Sequence, residues 1–358
     1  MKHIRPFCQD DILQVVALTQ KMFPKSKALP TEELHTNYRD FFLREPWHNP
    51  AFPSLVYAES DRIIGFLGVT SRPMLLQGQS ITMAVSQHLM VDLEQRAPLA
   101  SLGLLRAFLS GPQDISMADA ANDISRKLWE RLGGLTAMSH SMYWRRLLRP
   151  VRAVMDVAAT RFPKLKPITW VAWPGAAVAD ALATRIPHSP ILLRVPNTTQ
   201  EPLDAATLLR LIEACSRDKK LRPAYLLDDL AWLLRMRERQ THLGQLHTAV
   251  VKNAKGETCG WYVYYCKRRG TCDVIQLGAH EDSMGDVCDQ LFYAAWKEGA
   301  TSLSGRADVQ SMRPLFERAC LFMPGRMWTL VHTKHEEVLR ILEGNDVFLS
   351  RLEGDLAW

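Results

Sequence analysis

The order of elements along the chain predicts an α/β protein, of the α+β kind with mixed sheets, built as two tandem domains. Three observations carry this. The 358 residues exceed one typical domain and suit two. The first half reads as strand, two helices, three consecutive strands, helix, strand, helix, strand, an order that gives a mixed sheet with helices on its faces. The second half repeats that order in shortened form, as a repeat of elements and not of residue identity. The expected division is 1–150 for the first domain, 151–190 for a partly helical connector, and 191–358 for the second domain with its tail.

Each element has a local reason. His3–Pro6 is a short strand. Asp10 and Asp11 then open a helix whose apolar stripe is Ile12, Val15, Val16 and Met22. A second helix covers Thr31–Leu43. The period then changes to two: Leu55–Glu59 and Arg62–Thr70 read as strands joined by a turn at Ser60 and Asp61, and Ile81–Val91 as a long third strand. A helix follows with Leu99, Leu102, Leu105 and Leu109 on one side, then a strand at Ile115–Ala118. The helix Asn122–Leu132 stops at Gly133 and Gly134, and a last strand is expected within Leu135–Tyr143. In the second half the expected strands are Ile191–Val195, His247–Asn253, Thr258–Cys266, Cys272–Gly278, Thr301–Ser304 and Met327–His332. The expected helices are Asp204–Ser216, Tyr225–Arg237, Ser283–Glu298, Val309–Ala319 and Glu336–Leu342, ahead of a tail ending at Trp358.

Composition narrows the function classes. With 47% hydrophobic and 23% charged residues the chain can bury a real core. The net charge of +6 is spread thinly, with short clusters at Arg145, Arg146 and Arg149, at Arg235, Arg237 and Arg239, and at Lys267–Arg269. None is long enough for a nucleic-acid-binding arm, so no DNA partner is expected, and these side chains read as solvated surface. Seven cysteines show neither a CxxC pair nor metal-ligand spacing. They read as buried free thiols, which suits a reducing, cytoplasmic setting. The start of the chain has no secretory pattern, and the uncharged run Pro167–Ala179 is too short to span a bilayer. No metal and no transmembrane segment are expected.

The segment Ala120–Gly134 (AANDISRKLWERLGG) carries the family resemblance. It resembles the GCN5-related N-acetyltransferase pattern, in which an asparagine after a strand opens a helix ending in Tyr-x-x-x-Gly-Phe. Asn122 falls on the asparagine, Trp129 on the tyrosine and Gly133 on the glycine. The preceding Gln87–Arg106 (QHLMVDLEQRAPLASLGLLR) is similar to that superfamily's acyl-CoA-binding strand, loop and helix. The resemblance implies tandem domains of this fold, acetyl-CoA or another acyl-CoA as substrate, and an amine or hydroxyl acceptor. It implies cofactor contacts from Leu89, Met90 and Val91 on the strand, from Arg96, Ala97, Leu99, Ala100, Ser101 and Leu102 around the phosphate loop, and from Asn122 and Trp129. A strand that splays from its neighbour offers backbone groups to the pantetheine amides. A helix N-terminus offers N–H groups to pyrophosphate.

The chain departs from the pattern at two places. Leu99 and Ser101 stand where the loop has glycines, which makes close backbone approach to phosphate harder. Trp129 replaces a tyrosine that often serves as general acid, and indole donates no proton at a useful pKa. Phe316 stands at the matching place in the second half, where Cys320 replaces the glycine and the acids of His280–Gly285 (HEDSMG) would repel pyrophosphate. The first domain is therefore the expected cofactor domain.

Three residues are candidates for the chemistry. His88, on the long strand near the expected splay, is a candidate base, though strand histidines usually pack or face solvent. Asp119 ends the next strand, where it serves either the substrate or the start of the following helix. Tyr143, on the last expected strand of the first half, is the replacement acid, and it too reads first as structural. Asn122 has the same two faces, cofactor contact and helix cap. Three functions stay open: an acyl-CoA-dependent N- or O-acyltransferase, a non-catalytic binding or scaffold protein of the same fold, and an aminoacyl-tRNA-dependent transferase. The mild basic charge permits the third, but no feature calls for RNA. Acceptor and oligomeric state stay open too.

Overall fold

The computed structural model describes the chain except for residues 1, 24–25, 27–28, 45, 47, 93, 95–98, 163, 165, 184–191, 281, 325–326, 353 and 355–358. The chain begins β1 (Lys2–Pro6), α1 (Ile12–Met22), α2 (Thr31–Phe42), β2 (Leu55–Glu59), β3 (Arg62–Leu76), β4 (Gln79–Val91), α3 (Ala100–Leu109), β5 (Ile115–Ala121), α4 (Asp123–Arg131) and β6 (Leu135–Thr136). It continues with β7 (Met142–Leu147), α5 (Pro150–Arg161), α6 (Lys166–Ala183), β8 (Thr199–Pro202), α7 (Ala205–Ser216), β9 (Leu221–Pro223), α8 (Leu227–Glu238), β10 (Gln245–Lys252), β11 (Thr258–Cys266) and β12 (Thr271–Ala279). It finishes with α9 (Met284–Lys297), β13 (Ser302–Arg306), α10 (Val309–Phe316), β14 (Leu321–Pro324), β15 (Trp328–Thr333) and α11 (Glu336–Glu343).

These elements form two compact units. The first comprises Met1–Ser141, Asp218–Trp232 and Arg326–Trp358, the second Met142–Arg217 and Leu233–Gly325. The sheet of the first runs β1-β2-β3-β4-β5-β15-β6, with β9 pairing β3. The sheet of the second runs β8-β10-β11-β12-β13-β7-β14. One topology is thus used twice: each sheet is antiparallel except for one parallel pair, β4 with β5 and β12 with β13. In each, the sixth strand comes from the other half of the sequence.

This exchange differs from a linear division at 150 and 190. The strand expected within Leu135–Tyr143 is two strands. Only Leu135 and Thr136 pair in the first sheet, against Val331 and Leu330. Met142–Leu147 instead pairs β13 and β14 of the second sheet, with Trp144 buried there against Phe292 at 5.8 Å between ring centroids. The alternation of apolar and polar residues marks which face of a strand is buried, not which strand lies beside it. The strand expected at Ile191–Val195 is also absent, since residues 192–196 form no ladder. The edge strand β8 begins at Thr199, and all four of its residues are exposed.

Both faces of the first sheet are covered. Leu104, Leu105 and Phe108 of α3 and Trp129 of α4 pack with Ala84 and Ala118 on one face. Val338, Ile341 and Leu342 of α11 pack with Met83, Val85, Ile115 and Met117 on the other. Alternate residues of β4 and β5 therefore serve opposite cores, as the pleat requires. Each large apolar side chain buried this way contributes about 1.5–3 kcal/mol. In the second unit Tyr262, Tyr264, Val287, Leu291 and Phe292 form the equivalent core. Two arginines expected at the surface are buried instead. Arg146 reaches the carbonyls of Ala319 and Leu192 at 3.4 and 3.3 Å, and Arg237 donates to Gln240 Oε1 at 3.1 Å. Their strand and helix faces point inward, and the paired oxygens make burial of the guanidinium tolerable. Among the described residues no helix is long and apolar enough to cross a membrane.

Candidate functional site

The first sheet opens where β4 leaves β5. The two strands pair only at Met83–Ile115, Ala84–Ser116 and Val85–Met117. Beyond this, β4 stays with β3 as far as the Gly65–Val91 pair, while β5 continues beside β15, with Leu330 opposite Ala118 and Trp328 opposite Ala121. The facing edges of Ser86–Val91 and Ala118–Ala121 therefore share no ladder with each other.

A bulge in β4 accompanies the parting. The register against β3 shifts between Phe66 and Gly68, and His88 takes φ +51° within the extra-residue stretch. A bulge bends its strand and sharpens the twist, which turns β4 away from its parallel neighbour. Left-handed backbone costs a non-glycine residue about 1–2 kcal/mol, so the surroundings must hold it. They do so with aromatic rings. His88 lies 5.9 Å from Tyr38, 6.0 Å from Phe42 and 6.3 Å from Phe23 between centroids. Gly68, opposite the bulge, has no side chain because a Cβ there would collide with the Phe42 ring.

A buried hydrogen-bond chain fixes the imidazole. Thr19 Oγ1 donates to the Val15 carbonyl at 2.8 Å and lies 2.6 Å from Tyr38 Oη. The Tyr38 hydroxyl in turn lies within hydrogen-bond distance of His88 Nδ1, at 3.2 Å. Gln87, buried beside the bulge, donates from Nε2 to Thr70 Oγ1 at 3.3 Å. At the mouth, Lys21 bridges Asp92 at 2.8 Å and Glu94 at 2.5 Å. The Lys21 hydrogen bond, against the opposing effect of burial, keeps the Asp92 carboxyl below the ordinary range.

The expected site residues divide into groups. Leu89, Met90 and Val91 point their side chains into cores, so only their backbone is available to a ligand. Arg96 and Ala97 lie outside the described residues. Leu99 precedes α3 with its side chain 69% exposed, clear of the helix N-terminus, and supplies no side-chain cap. The first turn of α3, with Ala100, Ser101 and Leu102, contains no acid, and among the described residues no side chain caps it. Asp119, buried at the far edge of the opening, lies against Gly354 of the C-terminal segment, where a Cβ would collide with its Oδ2.

Three expected contacts take other roles. Asn122 Oδ1 accepts from the Ser125 N–H at 2.9 Å, which makes it the N-cap of α4. Trp129 is 1% exposed and packs against Phe108 at 6.0 Å, a core residue with no surface to offer a cofactor. Tyr143 stands on β7 in the second sheet, opposite Arg306 and Met323, and not on the sheet that holds His88 and Asp119. Conversely, Thr19, Tyr38 and Gly354 belong to the site, and the sequence does not mark them. Tyr38 shares the stripe Leu34, Tyr38, Phe41, Phe42, which any helix of this kind would bury.

Comparison with known proteins bears on the fold. No protein-family model and no curated protein matches the sequence. By structure the chain is similar to a conserved protein of unknown function from Enterococcus faecalis V583, a probable N-acyltransferase, at 9% identity and TM-score 0.59, over 93% of this chain and 73% of that one. It is similar to a GCN5-related N-acetyltransferase from Kribbella flavida at 12% identity and TM-score 0.56, over 93% and 72% of the two chains. Another, from Anabaena variabilis ATCC 29413, shares 11% identity at TM-score 0.59, over 92% and 72%. The chain has the fold of the GCN5-related N-acetyltransferases.

Proposed function

We propose that this chain uses its acetyltransferase-type fold as an acyl-CoA-dependent N- or O-acyltransferase, with the thioester substrate in the β4–β5 opening of the first unit. The observation that carries the reading is the parting of β4 from β5 at a bulge whose residue is a histidine, held through Nδ1 beside the Tyr38 hydroxyl. Acetyl-CoA or a longer acyl-CoA would pair its pantetheine amides with the edge of Ser86–Val91 that faces the opening, and its pyrophosphate would meet the N–H groups of Ala100–Leu102. Among the described residues, the α3 first turn has no acid to oppose it, whereas Asp286 lies in the first turn of α9. Amine or hydroxyl acceptor would attack the thioester carbon while His88 Nε2 takes its proton, and backbone N–H groups of the opening would face the oxyanion. With Trp129 in the core, the sulfur leaves as thiolate, a tolerable leaving group for a thiol of pKa near ~8.5. A cytoplasmic setting is part of this proposal.

A second reading, a binding protein of this fold without turnover, is favoured by one contact. Gly354 rests on Asp119, so the chain's own C-terminal segment covers that carboxylate. Calorimetric titration with acetyl-CoA and longer acyl-CoAs, beside Ser101→Glu, tests the first reading. Micromolar binding abolished by the added carboxylate supports it, and an acceptor screen then separates the two. A folded sample that binds no acyl-CoA rules it out.

A further inference from the structure

Cys266 ends β11 and Cys272 lies near the start of β12. Their strands pair with Tyr264 opposite Val274 and Tyr265 opposite Asp273, and the next step of that register sets Cys266 opposite Cys272. The two Sγ atoms are 2.9 Å apart, with Cys272 donating to Cys266. That separation exceeds a disulfide bond by only about 0.9 Å, and directly opposed residues of an antiparallel pair have their Cβ atoms close to disulfide range. Lys267–Thr271 alone separates the two cysteines, folded as a tight turn in which the Gly270 N–H donates to the Lys267 carbonyl at 3.0 Å and Arg269 takes φ +64°.

We propose that Cys266 and Cys272 are a modification site, a dithiol that low-molecular-weight disulfides oxidise to an intramolecular disulfide across the β11–β12 hairpin. Cys266 is the attacking group. It is 6% exposed against 0% for Cys272, and exposed Lys267, Arg268 and Arg269 follow it directly. These cations attract an anionic disulfide such as oxidised glutathione. The hydrogen bond from Cys272 also lowers the Cys266 pKa, against the opposing effect of burial. In the first step the Cys266 thiolate attacks one sulfur of the external disulfide, whose S–S bond breaks and releases one thiolate, which takes up a proton. In the second step Cys272 gives up its proton and attacks Cys266 Sγ, expelling the other half as thiol. Two protein thiols lose two electrons, and the external disulfide is reduced to two thiols.

The test is intact-mass and peptide mapping of the full-length protein after equilibration with excess oxidised glutathione. The wild type is expected to lose about 2 Da, two hydrogen atoms. Trypsin, cutting at Lys267, Arg268 and Arg269, then yields two peptides held together only by the Cys266–Cys272 bond. Cys266→Ser abolishes the loss, and Cys272→Ser accumulates one glutathione on Cys266 because the resolving thiol is gone. Circular dichroism checks that both variants fold. Full alkylation of both cysteines after the same treatment overturns the proposal. So does a stable glutathione adduct on the wild type, or a link from either residue to another cysteine.

Discussion

Both sheets part at their parallel pair, and both carry a bulge there, but the two bulges are made of different material. In β4 the residue is His88, with left-handed backbone and a hydrogen bond to Tyr38. In β12 the register against β11 shifts between Val263 and Tyr264, leaving over Ile275, which is 5% exposed and has ordinary negative φ. The flanking glutamines differ in the same sense. Gln87 and Gln276 are equally buried at 7%, yet Gln87 donates to Thr70, whereas neither side-chain polar atom of Gln276 has a partner among the described residues. One opening is strained, polar and internally connected, and the other is relaxed and lined by an aliphatic bulge. Under the proposed function, the strained and caged opening is the one that would carry the chemistry.

The largest effect expected from this contrast is on turnover. His88→Ala should lower kcat by about 10²- to 10³-fold, the contribution of a positioned general base, with acyl-CoA affinity nearly unchanged. Ile275→Ala should leave kcat within about twofold of wild type after correction for folded fraction. Steady-state kinetics of the two side by side would reverse the assignment if the second variant lost activity and the first kept it. Tyr38→Phe should be milder, about tenfold in kcat. Tyr38 lies against His88 Nδ1 and holds the ring, so its loss should act on kcat with KM for acyl-CoA nearly unchanged, and a wild-type kcat would separate Tyr38 from the reaction.

The second sheet supplies the smaller effects. Gln276→Leu should raise stability by about 1 kcal/mol, since it removes a buried amide that satisfies nothing, whereas Gln87→Leu should cost about as much. Denaturant midpoints measured together would test the contrast, and equal signs would erase it. Smallest is a pH effect at His247, which stacks on Tyr264 at 4.9 Å. Burial lowers its pKa from the ordinary 6.5. Its neutral form is favoured in the fold, so the contribution to stability is full above about pH 6.5 and lost as pH falls below that value. His247→Asn should flatten the decline in Tm between neutral and mildly acid pH, and an unchanged slope would point to other groups.

Much of this was legible because it is local. The β10–β11 hairpin, the α4 helix with its stop at Gly133, and the position of His88 on a long strand all follow from period, cap and turn chemistry. What escaped was long-range. Tyr38 and Thr19 lie 50 and 69 positions before His88, in helices whose stripes read as ordinary core. Trp129 illustrates the converse: the resemblance places it among the cofactor contacts, but a side chain that large, placed on the inner face of α4, fills the core instead of lining a cleft. Asn122 resolved as a cap because its Oδ1 has a nearby N–H to meet.

The exchanged sixth strands also bear on how the protein is made. Ala118 waits for Leu330, and Arg146 for Leu303, before either sheet gains its interior strand. A chain emerging from the ribosome therefore holds β5 with an open inner edge through most of synthesis, and the first half released alone would keep that edge exposed. Closing loops of roughly 160–210 residues makes both ladders late and slow events. Neither half of the sequence supplies every strand of its sheet, so each half made alone would give an unfinished sheet instead of a domain.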